Sequence, residues 1–122
     1  MSRSIAISCR EPNTGIDLSI EVRSPYDLFG TQEPSMRFWS LPRITEIGIE
    51  RLARLGVSDP VIFFGWEEMP ILEREIELLR RNLASIDFPV EAKARWLSHL
   101  TYCYHLLVET APKDSTPCLS IG

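Results

Sequence analysis

The sequence predicts an α+β fold: an N-terminal β-hairpin with one or two further short strands, packed against three helices of which the C-terminal one (about 89–110) is central. Three observations lead there. Apolar and polar residues alternate from Ile5 to Val22, the period of a half-buried strand. Between Leu72 and Leu107 apolar residues return at steps of three and four, the period of helices with one buried stripe. The chain has 122 residues, 44% hydrophobic and 25% charged, which suffices for one core and not for two, so a single domain over 1–122 is expected.

In the first strand Ile5, Ile7 and Cys9 alternate with Ser4, Ala6 and Ser8. After the turn-like Glu11-Pro12-Asn13-Thr14-Gly15, the alternation resumes with Ile16, Leu18, Ile20 and Val22 against Asp17, Ser19, Glu21 and Arg23, which makes a hairpin with one apolar face. Residues 24–41 carry Pro25, Gly30 and Pro34 without a steady period and are expected to form a long surface loop, with a short strand near Met36 to Trp39.

A first helix is expected from Ser40, with Pro42 near its first turn, to Leu55, where Gly56 stops it. Ile44, Leu52 and Leu55 share its inner face, and Gly48 allows close packing there. Val61-Ile62-Phe63-Phe64, bounded by Pro60 and Gly65, is too short and bulky for a helix and suits a buried strand. The second helix begins near Glu67 or Pro70, carries Leu72, Ile76, Leu79 and Leu83 on one face, and ends before Asp87. Asp87 with Pro89 starts the third, in which Trp96, Leu100, Cys103 and Leu107 form the stripe. Cys118 to Ile121 alternates again and is expected to add an edge to the sheet.

Thirteen Lys and Arg against seventeen Asp and Glu give a net charge of −4, which supplies no basic footprint for nucleic acid or for an anionic membrane. No apolar run reaches membrane-span length. The three cysteines, Cys9, Cys103 and Cys118, are widely spaced and form no CxxC pair; the expectation is a cytoplasmic protein without disulfides or a metal site. Glycines at 15, 30, 48, 56, 65 and 122 make no phosphate-binding loop, and HExxH and GxSxG are absent, so no cofactor is expected.

Two sets of residues stand out as candidate sites. At the strand-to-helix junction, Trp66, Glu67 and Glu68 join an indole to two carboxylates, with Glu73 one to two turns on. From Glu67 to Glu77 five acids face one base, so this segment carries −4, equal to the whole chain's net charge. Such a cluster suits a partner-binding surface, with a basic protein as partner. Ile71 and Leu78, seven residues apart and off the main stripe, form a second small apolar patch, to be covered by residues 24–41 or used as a partner surface or a seam between two copies.

In size, acidity, tryptophan content and lack of catalytic motifs, the whole chain is similar in general character to the immunity proteins with which bacteria neutralise their own toxins. That likeness implies a small protein-binding module. The alternative expectation is a small enzyme or ligand-binding domain, with a pocket between the hairpin and the central helix whose polar groups are His99 and Tyr102 with Glu67 or Glu68. His99 and Cys103 are neighbours on one helix face, but a thiol in the centre of an apolar stripe stays protonated and inert.

Overall fold

In the computed structural model, which describes residues 2–122, strand β1 (Ser2–Arg10) lies at the heart of an antiparallel sheet. It turns through residues 11–16 into β2 (Asp17–Ile20), with Ile7 opposite Ile20 and Cys9 opposite Leu18. The N-terminal end of β1 pairs instead with β3 (Leu28–Thr31). On its other side β1 pairs with β5 (Thr116–Ile121), and β5 pairs with β4 (Val61–Phe64), giving the order β2-β1-β5-β4. The α+β class and the hairpin agree with the sequence. The C-terminal strand does not form an edge as expected: β5 sits inside the sheet and β4 takes the edge.

One face of the sheet is the core face. Ile5, Ile7, Val61, Phe63, Leu119 and Ile121 alternate onto it and are almost fully buried, and the helices cover it. The opposite face is open and built mainly of small residues, Ala6, Ser8, Cys118 and Ser120, with Ile62 and Phe64 exposed at its β4 side. The helical layer stops short of β2, so Ile16 and Leu18 remain 55% and 46% exposed although Leu18 points to the core side.

Residues 24–41 are not a long loop. They contain β3 and helix α1 (Gln32–Trp39). Pro34 lies in the first turn, where a helix needs no backbone N–H from it, and Ser35, Phe38 and Trp39 form the buried face at steps of three and four. Gly30 lies in β3 with φ +81, and a Cβ there would come within 3.1 Å of the Trp96 indole nitrogen.

The helix expected over 40–55 is also broken. Helix α2 (Pro42–Glu46) ends in a Schellman motif: Gly48, at φ +104, donates to Thr45 O, and Ile49 N donates to Ile44 O. Ile44 and Ile49, the hydrophobic pair of that motif, are fully buried. The chain then continues into a 3-10 turn over Leu52–Gly56. Helix α3 (Met69–Asn82) follows, then α4 (Val90–Thr110), so four α-helices replace the expected three. Helix α4 touches α3, β1, β3 and β5, which makes it the central helix as its apolar girth predicts.

Candidate functional site

The residues that looked most chemical lie along α4, and each grips backbone. Trp96 Nε1 donates to Phe29 O at 2.9 Å, His99 Nδ1 lies 2.6 Å from Leu28 O, and the Cys103 thiol points at Tyr26 O, 3.3 Å away. A carbonyl only accepts, so His99 carries its proton on Nδ1. The spacing 96, 99, 103 keeps all three on one helix face, and together they fasten residues 26–29 onto α4. Burial pushes the Cys103 thiol up to about 12, with nearby Asp27 adding to the rise, so it is an inert, protonated donor. Tyr102 stacks on Tyr26 with ring centroids 4.0 Å apart, and the Arg23 guanidinium sits against both rings. His99 and Tyr102 are therefore joined to one cluster, and that cluster clamps a strand to a helix.

At the head of α3 the expected acidic surface is divided among internal partners. Glu68 Oε1 accepts from Phe64 N at 2.9 Å and from Arg51 Nη2 at 2.6 Å, while the same Arg51 nitrogen donates to Ile62 O at 2.8 Å. Ile62 O and Phe64 N are the groups that strand β4 turns away from β5. An ion pair thus occupies the β4 edge of the sheet. The Phe64 N–H, then the Arg51 guanidinium, hold the Glu68 carboxyl below its ordinary value. Trp66 donates to Ser115 O at 2.8 Å with the Lys113 ammonium over its ring, which fixes the indole to the turn before β5. Glu67 is exposed.

Further along α3, Glu77 pairs with Arg80 and Arg81, and Glu73 accepts from the Tyr104 hydroxyl at 3.0 Å. Burial, with the Glu73 hydrogen bond and charge, raises the Tyr104 phenol to about 12. Glu75 is fully buried: Oε2 accepts from Glu50 N and Arg51 N at 3.1 and 2.9 Å, and Oε1 from Leu52 N at 2.9 Å. The −4 read along this segment is therefore spread over ion pairs and backbone donors rather than presented as one acidic patch.

Glu75 escaped the sequence reading, as did two other buried charges. Lys93 donates to Leu83 O and Ile86 O at 2.8 and 2.7 Å, closing the turn between α3 and α4. Arg3, 1% exposed, donates to Ser35 Oγ at 3.0 Å and lies 3.4 Å from Asp59, and burial lowers its pKa against the pull of Asp59. The signal was available: Arg3, Glu75 and Lys93 all fall on the core register of their own elements.

Ile71 and Leu78 are both half-buried against the core. A Cβ on Gly48 would lie 3.3 Å from Leu78 Cδ1, so the α2 terminus lies against Leu78, while residues 26–29 are fastened to α4. Leu78 and Glu73 meet in a groove of about 750 Å³ between α3 and α4, lined also by Arg74, Thr101, Tyr104 and His105. A second cleft, of about 840 Å³, opens beside α1 between Gln32, Arg37 and Gly56.

No protein-family model, curated protein or solved structure matches the chain. Among the described residues no three or more His, Cys, Asp or Glu side chains gather where they could hold a metal ion. Among the described residues no helix is long and apolar enough to cross a membrane.

Proposed function

We propose that the chain is a small protein-binding module whose recognition surface is the α3–α4 groove. The supporting observation is that this groove combines apolar side chains, Ile76 and Leu78, with charges of both signs along its rim. Helix pairs of this kind receive an amphipathic segment of a partner, whose apolar side chains enter the groove while its polar ones meet the rim. The rim holds Arg74, Arg80 and Arg81 against Glu73 and Glu77, and Glu73 is already engaged by Tyr104. Glu77 pairs with Arg80 and Arg81, which leaves Arg74 as the rim charge without an ion-pair partner among the described residues, so the partner segment is apolar with an acidic residue placed to meet Arg74 rather than the basic partner suggested by the acid count alone.

Trp66 and Glu68 are held in place by Ser115, Phe64 and Arg51, so of the junction residues only Glu67 is left to meet a partner. Comparative affinity capture tests the reading. Thr101→Arg with His105→Glu fills the groove from α4 without touching the core, and Glu67→Lys perturbs the junction alone. Partners held by wild type and by Glu67→Lys, but lost by the groove variant, support it. Equal retention by all three proteins, or loss with Glu67→Lys only, rejects it.

A further inference from the structure

The two edges of the sheet are treated differently. On β4 the outward Ile62 carbonyl and Phe64 N–H are both occupied by the Arg51–Glu68 pair. Side chains placed over an edge in this way prevent another strand from adding to it. On β2 no such plug is found among the described residues, and the strand holds no lysine and no proline. Glu11 N bonds Ile16 O across the hairpin turn, while the Ile16 N–H goes to Thr14 Oγ1, and this sets the parity of the ladder: residues 18 and 20 exchange bonds with β1. The N–H and C=O groups of Asp17 and Ser19 therefore point away from the sheet.

We infer that β2 is a self-association edge, where a second copy of this chain adds its own β2 antiparallel across a two-fold axis at Leu18. The register follows from charge. Outward-facing residues must pair with outward-facing residues, so the axis lies at residue 17, 18 or 19. An axis at Asp17 sets two aspartates directly opposite each other, and an axis at Ser19 sets Asp17 opposite Glu21; like charges in those positions oppose pairing. An axis at Leu18 places Asp17 opposite Ser19 instead, so no two carboxylates face each other across the axis, and the exposed Arg10–Asp17 pair within each chain is the same in every register.

The same register explains the exposed apolar residues. Ile16 at 55% and Leu18 at 46% point to the core side of the sheet, where no helix reaches. With the axis at Leu18, that residue meets its copy and each Ile16 meets the half-buried Ile20 of the other chain. Six aliphatic side chains then close the gap between the two helical layers. The partner is a second copy because the strand complements itself in charge and in apolar contact at one register.

Sedimentation velocity from micromolar to millimolar protein tests this, together with two variants that leave the fold's own bonds intact. Ser19→Pro removes an outward N–H that β1 does not use, and Leu18→Lys places charge on the axis. Each is expected to keep the melting temperature and weaken dimerisation by about tenfold or more, the effect of losing ~1.4 kcal/mol. In a Cys9→Ala, Cys118→Ser background, which removes the thiol opposite residue 18 in the same chain, Leu18→Cys is expected to cross-link to its copy under mild oxidation. Ile16→Cys should cross-link only with Ile20→Cys. A chain that stays monomeric at millimolar concentration overturns the inference. So does a dimer indifferent to both variants, or one broken only by the Thr101→Arg, His105→Glu groove variant.

Discussion

Replacing Glu75 is the sharpest test of how this core is built. Its carboxylate is fully buried and receives three backbone N–H groups, from Glu50, Arg51 and Leu52, which leave the end of α2 and enter the following 3-10 turn. Glu75→Ala leaves those donors without an acceptor. The Leu52 bond is buried and the other two are part-buried, so water can recover some of the loss at Glu50 and Arg51 but little at Leu52. An unsatisfied buried donor costs ~1–3 kcal/mol, and the empty volume adds to it, so a loss of about 4 kcal/mol is expected. That is a large fraction of the ~5–15 kcal/mol that stabilises a typical domain. Glu75→Gln keeps one acceptor oxygen and turns an amide NH2 toward the remaining donors, for a loss of about 2 kcal/mol. Urea denaturation reads both as shifts in midpoint at constant slope. Amide exchange should accelerate first at residues 50–52. If both variants lie within ~0.5 kcal/mol of wild type, the range of an ordinary surface substitution, or if exchange at those amides is unchanged, the reasoning fails.

Alkali should unfold the protein through α4. Cys103 and Tyr104 titrate near 9.0 and 10.0 when free and are each pushed up to about 12 in the fold. Their contribution is complete below pH 9, shrinks as pH rises toward 12, and should shrink less in Cys103→Ala with Tyr104→Phe, measured by melting temperature against pH. On the acid side the folded pKa of Glu68 lies below its ordinary 4.5, so its contribution is present above that pH and is lost as pH falls through the folded value. Glu68→Ala should cost only about 1 kcal/mol, because the side chain is about a third exposed, yet raise light scattering at neutral pH by removing the acceptor that covers Phe64 N on the β4 edge; unchanged scattering counts against the plug. Lys93→Met should cost about 2 kcal/mol in urea, since two charge-assisted bonds to Leu83 O and Ile86 O are lost, and a neutral result would deny the ammonium that role.

Periodicity was the most legible layer of this sequence. The alternation in β1 and the stripe Trp96–Leu100–Cys103–Leu107 placed the hairpin and the central helix almost to the residue, because those faces are buried in tertiary structure with the same period. Punctuation was harder to read. Pro34 looks like a loop residue until it is placed in the first turn of α1, and Gly48 looks like a packing contact until Ile44 and Ile49 are seen as the two sides of a Schellman motif. Strand order depends on contacts far apart in sequence, such as Ile5 with Ile121, which no local pattern carries.

Charge was the most misleading layer. A run of acids along 67–77 adds up in one dimension, but a helix separates its members by 100° per residue, sending Glu75 into the core and Glu77 to its arginines. The groove escaped the sequence for the same reason: it belongs to two helices at once. The alternative polar groups, His99 and Tyr102, meet through Tyr26, whose ring contacts both, and residues 26–28 belong to a stretch that shows no period in the sequence.

The hydrogen bonds of the α4 clamp all go to carbonyl oxygens, those of Tyr26, Leu28 and Phe29, and a carbonyl is the one acceptor that all twenty amino acids carry. These bonds are therefore blind to the side chain at 28, while the rings of Tyr26 and Phe29 add contacts of their own with Tyr102 and Trp96. Leu28, half exposed, can be exchanged for almost any residue and the His99 bond will still form, whereas Phe29 must stay large and apolar. The connection from β2 to β3 is thus a cassette: its surface can be rewritten, by mutation or by design, while the fastening beneath it stays the same.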